Sequence, residues 1–232
     1  MMPMIRSTIG TAIRVPALCA ALTLAGVPSA GAAAAEQPVV LTFHEEQLAV
    51  QINFDRDILK IIKQEASVPI HRLSGYDERA YQIMVSGLSV QVPHSRSERV
   101  REALKSRLAP YACLVFFAEI DESIKRDRIG IIKGIDQFTI LGVMQTNGEE
   151  YEVSHEEVVE QLREWNRLAP FKIIGAGNDW VELEFMVLPE DIKAFAEEVY
   201  DFSPDTVDEG TGTVRDLILE LRKTRRLVLL WN

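Results

Sequence analysis

Residues 112–118, Ala-Cys-Leu-Val-Phe-Phe-Ala, form an unbroken apolar run of strand length. A strand without a polar position has no face to turn to water, so it belongs inside a sheet covered on both sides. Every other element must then supply either a neighbouring strand or a layer on one of the two faces.

The remaining pattern supplies both. Glu36 to Phe54 reads as extended, with Val39–Leu41 and Phe43 apolar and Leu48, Val50, Ile52 and Phe54 alternating. Asp55 or Asp57 can cap a following helix that buries Ile58, Leu59, Ile61 and Ile62. Ser74-Gly75-Tyr76-Asp77 is turn chemistry, and alternation at Tyr81, Ile83, Val85 and at Leu88, Val90, Val92 predicts a pair of strands. Ser95 and Glu98 have capping-box spacing ahead of a helix carrying Val100, Leu104 and Leu108. Ile129–Ile132 and Phe138–Val143 predict two more strands. Ser154 and Glu157 form a second capping-box pattern, followed by Val158, Leu162 and Trp165. Trp180 to Val187 alternates strictly, with Trp180, Glu182 and Glu184 on a face expected to be wet. Helical spacing returns at Ile192–Val199 and Val214–Leu221, and Leu227–Trp231 closes as a strand. Several strands come in hairpin-like runs, so the expectation is α+β, a mixed sheet flanked by about five helices. A soft boundary near residues 134–148 divides an N-terminal part, 36–135, from a C-terminal part, 136–232, unless the two form one continuous domain. Arg107-Leu-Ala-Pro-Tyr111 and Arg167-Leu-Ala-Pro-Phe171 repeat one helix-stop pattern, from duplication or from shared stop chemistry.

Residues 1–35 carry Arg6 and Arg14, an apolar stretch from Val15 to Val27, then small residues ending Ala33-Ala34-Ala35. That order is a cleaved secretory signal peptide, with an uncleaved anchor as the alternative, and it predicts a periplasmic or secreted protein. The apolar core is shorter than the roughly 20 residues that span a bilayer, so no stable membrane span is expected after cleavage. Cleavage removes Cys19 and leaves Cys113 as the one thiol, so a packed core must hold the fold. With 25 basic against 35 acidic residues the formal charge is −10, which opposes nucleic-acid binding. The apolar share, 47%, excludes a disordered chain.

Chemistry is sparser. His44, His71, His94 and His155 are scattered, and no zinc-type cluster exists. Asp205, Asp208 and Glu209 make the one dense oxygen-rich loop, so a bound metal would fall there. Calcium suits such a loop, although the spacing is not that of an EF-hand, and no cofactor is expected. Gly210-Thr-Gly-Thr213 lacks a P-loop lysine and follows three acids, which excludes a nucleotide site. Cys113 reads as a small core residue. Glu182 and Glu184 beside Trp180 could serve a sugar or an acid/base pair, against the plainer reading of a solvated strand face.

The C-terminal stretch carries, in order, Thr146-Asn147-Gly148, Tyr151, Ile174-Gly175-Ala176 and Asp179-Trp180. It continues with Phe195-Ala-Glu-Glu-Val-Tyr200, Phe202-Ser-Pro-Asp205, Gly210-Thr-Gly-Thr213 and Leu230-Trp231-Asn232. This set resembles the bacterial domain-of-unknown-function family 4253 over about residues 136–232. The family has no assigned activity. Members often carry Cys where this chain has Ser203 and a Trp-Trp-Asp ending where it has Leu230-Trp231-Asn232, so thiol or acid chemistry at those positions would be missing here. The resemblance implies a shared binding site at Asp179, Trp180, Asp205, Asp208, Thr211 and Trp231. The expectation is a non-catalytic module for an unidentified protein or small ligand. The alternative is a hydrolase or lyase that uses Asp179, Asp205 and Asp208, with or without a divalent metal.

Overall fold

The computed structural model describes residues 39–121 and 123–231, and the proposed signal peptide lies outside them. Seven strands form one sheet: β1 (His71–Tyr76), β2 (Gln82–Pro93), β3 (Cys113–Asp121), β4 (Arg126–Lys133), β5 (Phe171–Ala176), β6 (Trp180–Phe185) and β7 (Arg226–Leu230). Their spatial order is β1-β2-β4-β3-β5-β6-β7. Every neighbouring pair is antiparallel except β3 and β5, which run parallel. Seven α-helices accompany them among the described residues: α1 (Phe43–Gln51), α2 (Arg56–Ala66), α3 (His94–Leu108), α4 (Thr139–Met144), α5 (His155–Leu168), α6 (Ile192–Phe202) and α7 (Val214–Thr224). The fold is α+β with a mixed sheet. The described residues form one compact unit, and the sheet runs unbroken across residues 134–148.

The apolar run of β3 is the middle strand and sorts its side chains between two cores. Val115 and Phe117 pack with α1, α2 and α3 on one face. Phe116 and Ala118 pack with α4 to α7 on the other. Burial of this kind stabilises by roughly 1.5–3 kcal/mol for each fully buried large side chain.

Four elements differ from the pattern reading. Leu48 to Phe54 was expected to be extended, but Phe43–Gln51 is α1 and Val50 points to solvent. Thr42 and Glu45 form a complete capping box, and buried Glu45 also accepts from Lys63 Nζ at 2.5 Å and from the Ile70 amide at 3.1 Å. Those bonds fasten α1 to α2 and to the entrance of β1, which outweighs the alternating pattern. Phe138–Val143 was expected to be a strand but folds as the short helix α4, with Ile140, Leu141 and Met144 buried. The two alternating runs before Pro93 are one strand, β2, and β1 is the partner that neither run announced. The capping box at Ser95 does not form. Helix α3 starts two residues earlier, at His94 with Pro93 in the N-cap position, and His94 Nδ1 lies 2.9 Å from the buried carboxylate of Asp127. Glu98 turns instead to Arg101 and Arg226.

Candidate functional site

β6 was expected to offer a wet face. It lies between β5 and β7, and its Glu182 is 7% exposed beneath α3. Arg226 is the first residue of β7 and bonds Glu98, with Glu182 at 3.4 Å and Glu184 at 3.7 Å. Burial pushes the Glu182 carboxyl up, and the Arg226 charge only partly offsets it. Glu98 is also penalised by burial, but hydrogen bonds from Arg101 and Arg226 leave its carboxyl below the usual range. The two glutamates are thus parts of an ionic layer between α3 and the sheet.

Beside this layer the chain makes a tight turn from β5 to β6, closed by the Gly177 amide donating to the Trp180 carbonyl at 2.9 Å. The Trp180 indole lies flat along the same turn. A Cβ at Gly177 would sit 2.1 Å from its Nε1, and one at Gly175 would sit 2.8 Å from the far ring edge. The glycines therefore leave the space that the ring occupies. Trp180 is partly exposed, whereas Trp165 and Trp231 are buried.

The exposed part of Trp180 faces a polar cleft of about 270 Å³, to which Ser74, Tyr76, Gln82, Glu119, Arg128, Asn178 and Asp179 contribute. It lies where the parallel strands β3 and β5 end, the position at which open sheets with parallel strands bind ligands. Arg128 and Glu119 face each other across the β3–β4 ladder and pair at 2.7 Å. Burial raises the Tyr76 phenol, and the carboxylates of Asp179 and Glu119 raise it further against the opposing Arg128. Tyr76 therefore keeps its proton at neutral pH and is a hydrogen-bond donor. The walls thus combine a phenolic donor, carboxylate and amide acceptors, and one aromatic face.

The expected site residues divide. Asp179 and Trp180 line the cleft. Asp205, Asp208, Thr211 and Trp231 do not; they belong to the adjoining end of the sheet. The Asp205 carboxylate is buried and accepts from the Tyr151 hydroxyl. That bond is the main reason the Tyr151 phenol is pushed up to about 12, with Asp205, Glu209 and Asp208 adding charge. Asp208 and Glu209 are exposed on a π-helical turn over Thr206–Thr211, and Thr211 Oγ1 donates to the Thr213 carbonyl at 3.3 Å. Among the described residues, no three His, Cys, Asp or Glu side chains gather as a metal-binding group.

Trp231 is buried, donates from Nε1 to the Phe202 carbonyl at 3.1 Å, and joins the cleft turn through its amide on the Asp179 carbonyl at 2.9 Å. The loop Thr146–Gly148 completes the join. Thr146 Oγ1 donates to the Gly177 carbonyl at 2.6 Å and the Asn147 amide to the Asn178 carbonyl at 2.8 Å. Ser203 Oγ donates to the Leu230 carbonyl and accepts from its amide, so this hydroxyl anchors β7.

Tyr76, Glu119 and Arg128 were missed. Tyr76 lies in a segment that read as a turn, and Glu119 and Arg128 become a pair only through the β3–β4 register. Residues 128–232 match the model of a family described as a domain of unknown function (DUF4253). No curated protein and no solved structure matches the chain. The family match holds the Asp179–Trp180 turn but leaves Ser74, Tyr76, Gln82 and Glu119 outside, so the cleft is assembled across the family boundary.

Proposed function

We propose that this protein is an exported, non-catalytic binding module that takes a small hydroxyl-rich ligand, such as a mono- or disaccharide, in the Trp180 cleft. Export rests on the basic, apolar and small-residue order of residues 1–35. Binding rests on one observation: a partly exposed indole beside a dense set of hydrogen-bonding groups at the end of the parallel strands β3 and β5. An aromatic wall with a few placed polar groups is how small-molecule sites fix orientation. With Asp179 and Glu119 against Arg128, the cleft carries an excess of acid, which suits a neutral ligand better than an anion. The hydrolase or lyase reading would use Asp179, Asp205 and Asp208 together. It gains no support from a cleft that takes Asp179 alone.

Tryptophan emission tests the reading. The other two tryptophans are buried, so a ligand in the cleft reports through Trp180. Titration of the full chain with a panel of mono- and disaccharides should give a saturable emission change with at least one sugar. That change should vanish in Trp180→Phe (no reporter) and weaken at least tenfold in Asp179→Asn. Wild-type emission that stays flat across the panel would overturn the proposal.

A further inference from the structure

The backbone of the turn that carries Trp180 is fastened residue by residue. The Gly177 amide closes on the Trp180 carbonyl, and the Gly177 carbonyl accepts from Thr146 Oγ1. The Asn178 carbonyl accepts from the Asn147 amide and the Asp179 carbonyl from the Trp231 amide. The Asn178 side chain donates to the Gln145 carbonyl at 2.8 Å. The Asp179 carboxylate, by contrast, takes no hydrogen bond and forms no ion pair among the described residues. Loop aspartates usually bond the amides of their own turn. Asp77 does so with the Arg79 and Tyr81 amides, both at 2.9 Å, and Asp191 with the Lys193 and Ala194 amides. Asp179 is thus an acceptor on a rigid frame, beside an indole, with its own valence unused.

Its charge is unanswered as well. Arg128 of the same cleft pairs with Glu119 at 2.7 Å, so those two cancel and Asp179 sets the sign. Burial is the main cause of the raised Tyr76 phenol, and the Asp179 charge is the next, so that charge is felt across the cleft. The adjoining surface has the same sign. Asp77, Glu78, Glu149, Glu152 and Glu156 line a neighbouring depression that no Lys or Arg enters among the described residues. A cleft walled by one sign of charge concentrates ligands of the other.

Resting on the sugar reading of this cleft, we propose that its ligand is an amino sugar, a single pyranose ring whose ammonium pairs with Asp179 while its apolar face lies on the Trp180 indole. An ammonium close to an indole also gains from the ring quadrupole. Ser74, Tyr76, Gln82 and Asn178 supply hydroxyl and amide partners for the ring hydroxyls. The cleft, about 270 Å³, lies near the lower end of small-molecule sites, about 300 Å³, which suits one ring. A neutral or N-acylated sugar would leave Asp179 unmatched. A linear diamine would match the charge but leave the hydroxyl partners unused, and a sugar phosphate would be repelled.

Titration calorimetry on the full chain tests this with glucose, glucosamine, N-acetylglucosamine and 1,4-diaminobutane, at low salt and a slightly acidic pH that keeps the sugar amine protonated. Glucosamine should bind at least tenfold tighter than each of the other three, and its advantage over glucose should shrink as salt is raised. Asp179→Asn, an exposed and nearly isosteric change that keeps the backbone bond to Trp231, costs a neutral sugar about tenfold on the reading above. It should cost glucosamine at least a hundredfold and so remove the preference. The N-acetyl comparison and the salt series decide the matter if that variant does not fold by circular dichroism. Glucose binding with no gain from the amine would overturn this inference and leave the sugar reading standing. Absence of heat with every sugar would overturn both. A preference for glucosamine that survives Asp179→Asn, or that salt does not alter, would overturn the assignment to Asp179.

Discussion

Glu182 is a carboxylate held where burial outweighs its cation, and the sign of that imbalance is measurable. Its folded pKa lies above the ordinary value of 4.5. Between the two values the native state holds a proton that the unfolded chain has released. Its contribution to stability is therefore greatest below pH 4.5, declines as pH rises through the raised folded value, and is flat above it. Glu182→Gln removes this decline while keeping a polar group opposite Arg226. Urea midpoints should show the variant gaining on wild type between acidic and neutral pH, and a gap that stays constant with pH would contradict this account. A second residue tests packing. A Cβ at Gly148 would lie 2.5 Å from the Trp231 ring, which is buried and fastened at Nε1. Gly148→Ala should cost about 1–3 kcal/mol in urea unfolding, the usual range for overpacking.

At the scale of elements, the helix caps separate what the sequence makes readable from what it hides. Ser154 caps α5 through a reciprocal box with Glu157, as the spacing predicts. Ser154→Ala should lower stability by about 1 kcal/mol, and Thr42→Ala should do the same at α1. Ser95 has the same spacing to Glu98 but is exposed and caps nothing, so Ser95→Ala should stay within about 0.5 kcal/mol of wild type. Chemical denaturation of the three variants makes the comparison. Local chemistry decided the first two caps. At Ser95 two long-range partners, Asp127 and Arg226, drew His94 and Glu98 away, and a linear pattern carries no trace of them. The strands followed the same division. The apolar run of β3 and the alternating run of β6 were both legible as strands, although the β6 face expected to be wet is covered at Glu182. The short helix α4 was not, because Phe138–Val143 is as apolar as a strand and too short for helical periodicity to show. The candidate cleft was half legible: Asp179 and Trp180 stand in a family-like motif, whereas Tyr76, Glu119 and Arg128 arrive through β1 and the β3–β4 register. The two Leu-Ala-Pro stops lead into the parallel strands β3 and β5, yet α3 and α5 cover opposite faces of the sheet. A simple duplicated helix–strand unit would place them alike, which favours shared stop chemistry as the cause of the repeat.

For the whole molecule, the sheet order makes the family-matched segment dependent on what precedes it. Residues 128–232 begin inside β4, and β3 stands between β4 and β5. Without β3, β4 has lost both of its neighbours and β5 one of its two edges. Phe117 and α3 are lost as well, so Trp180 and Glu182 would lie open to water, with Arg226 deprived of Glu98. Leu73 and Phe116, which belong to the core on the α5 side, would also be absent. A fragment of residues 128–232 should therefore fail to unfold cooperatively, whereas the full chain should lose both cores in one transition. Circular dichroism and tryptophan emission, followed together through a urea titration, distinguish the cases. Trp165, Trp180 and Trp231 all report from the C-terminal half, while the ellipticity includes α1 to α3. Coincident curves for the full chain mean one cooperative unit. Separate curves, or a sharp transition in the fragment, would mean that β5–β7 and their helices hold together without the strand that joins them to β4.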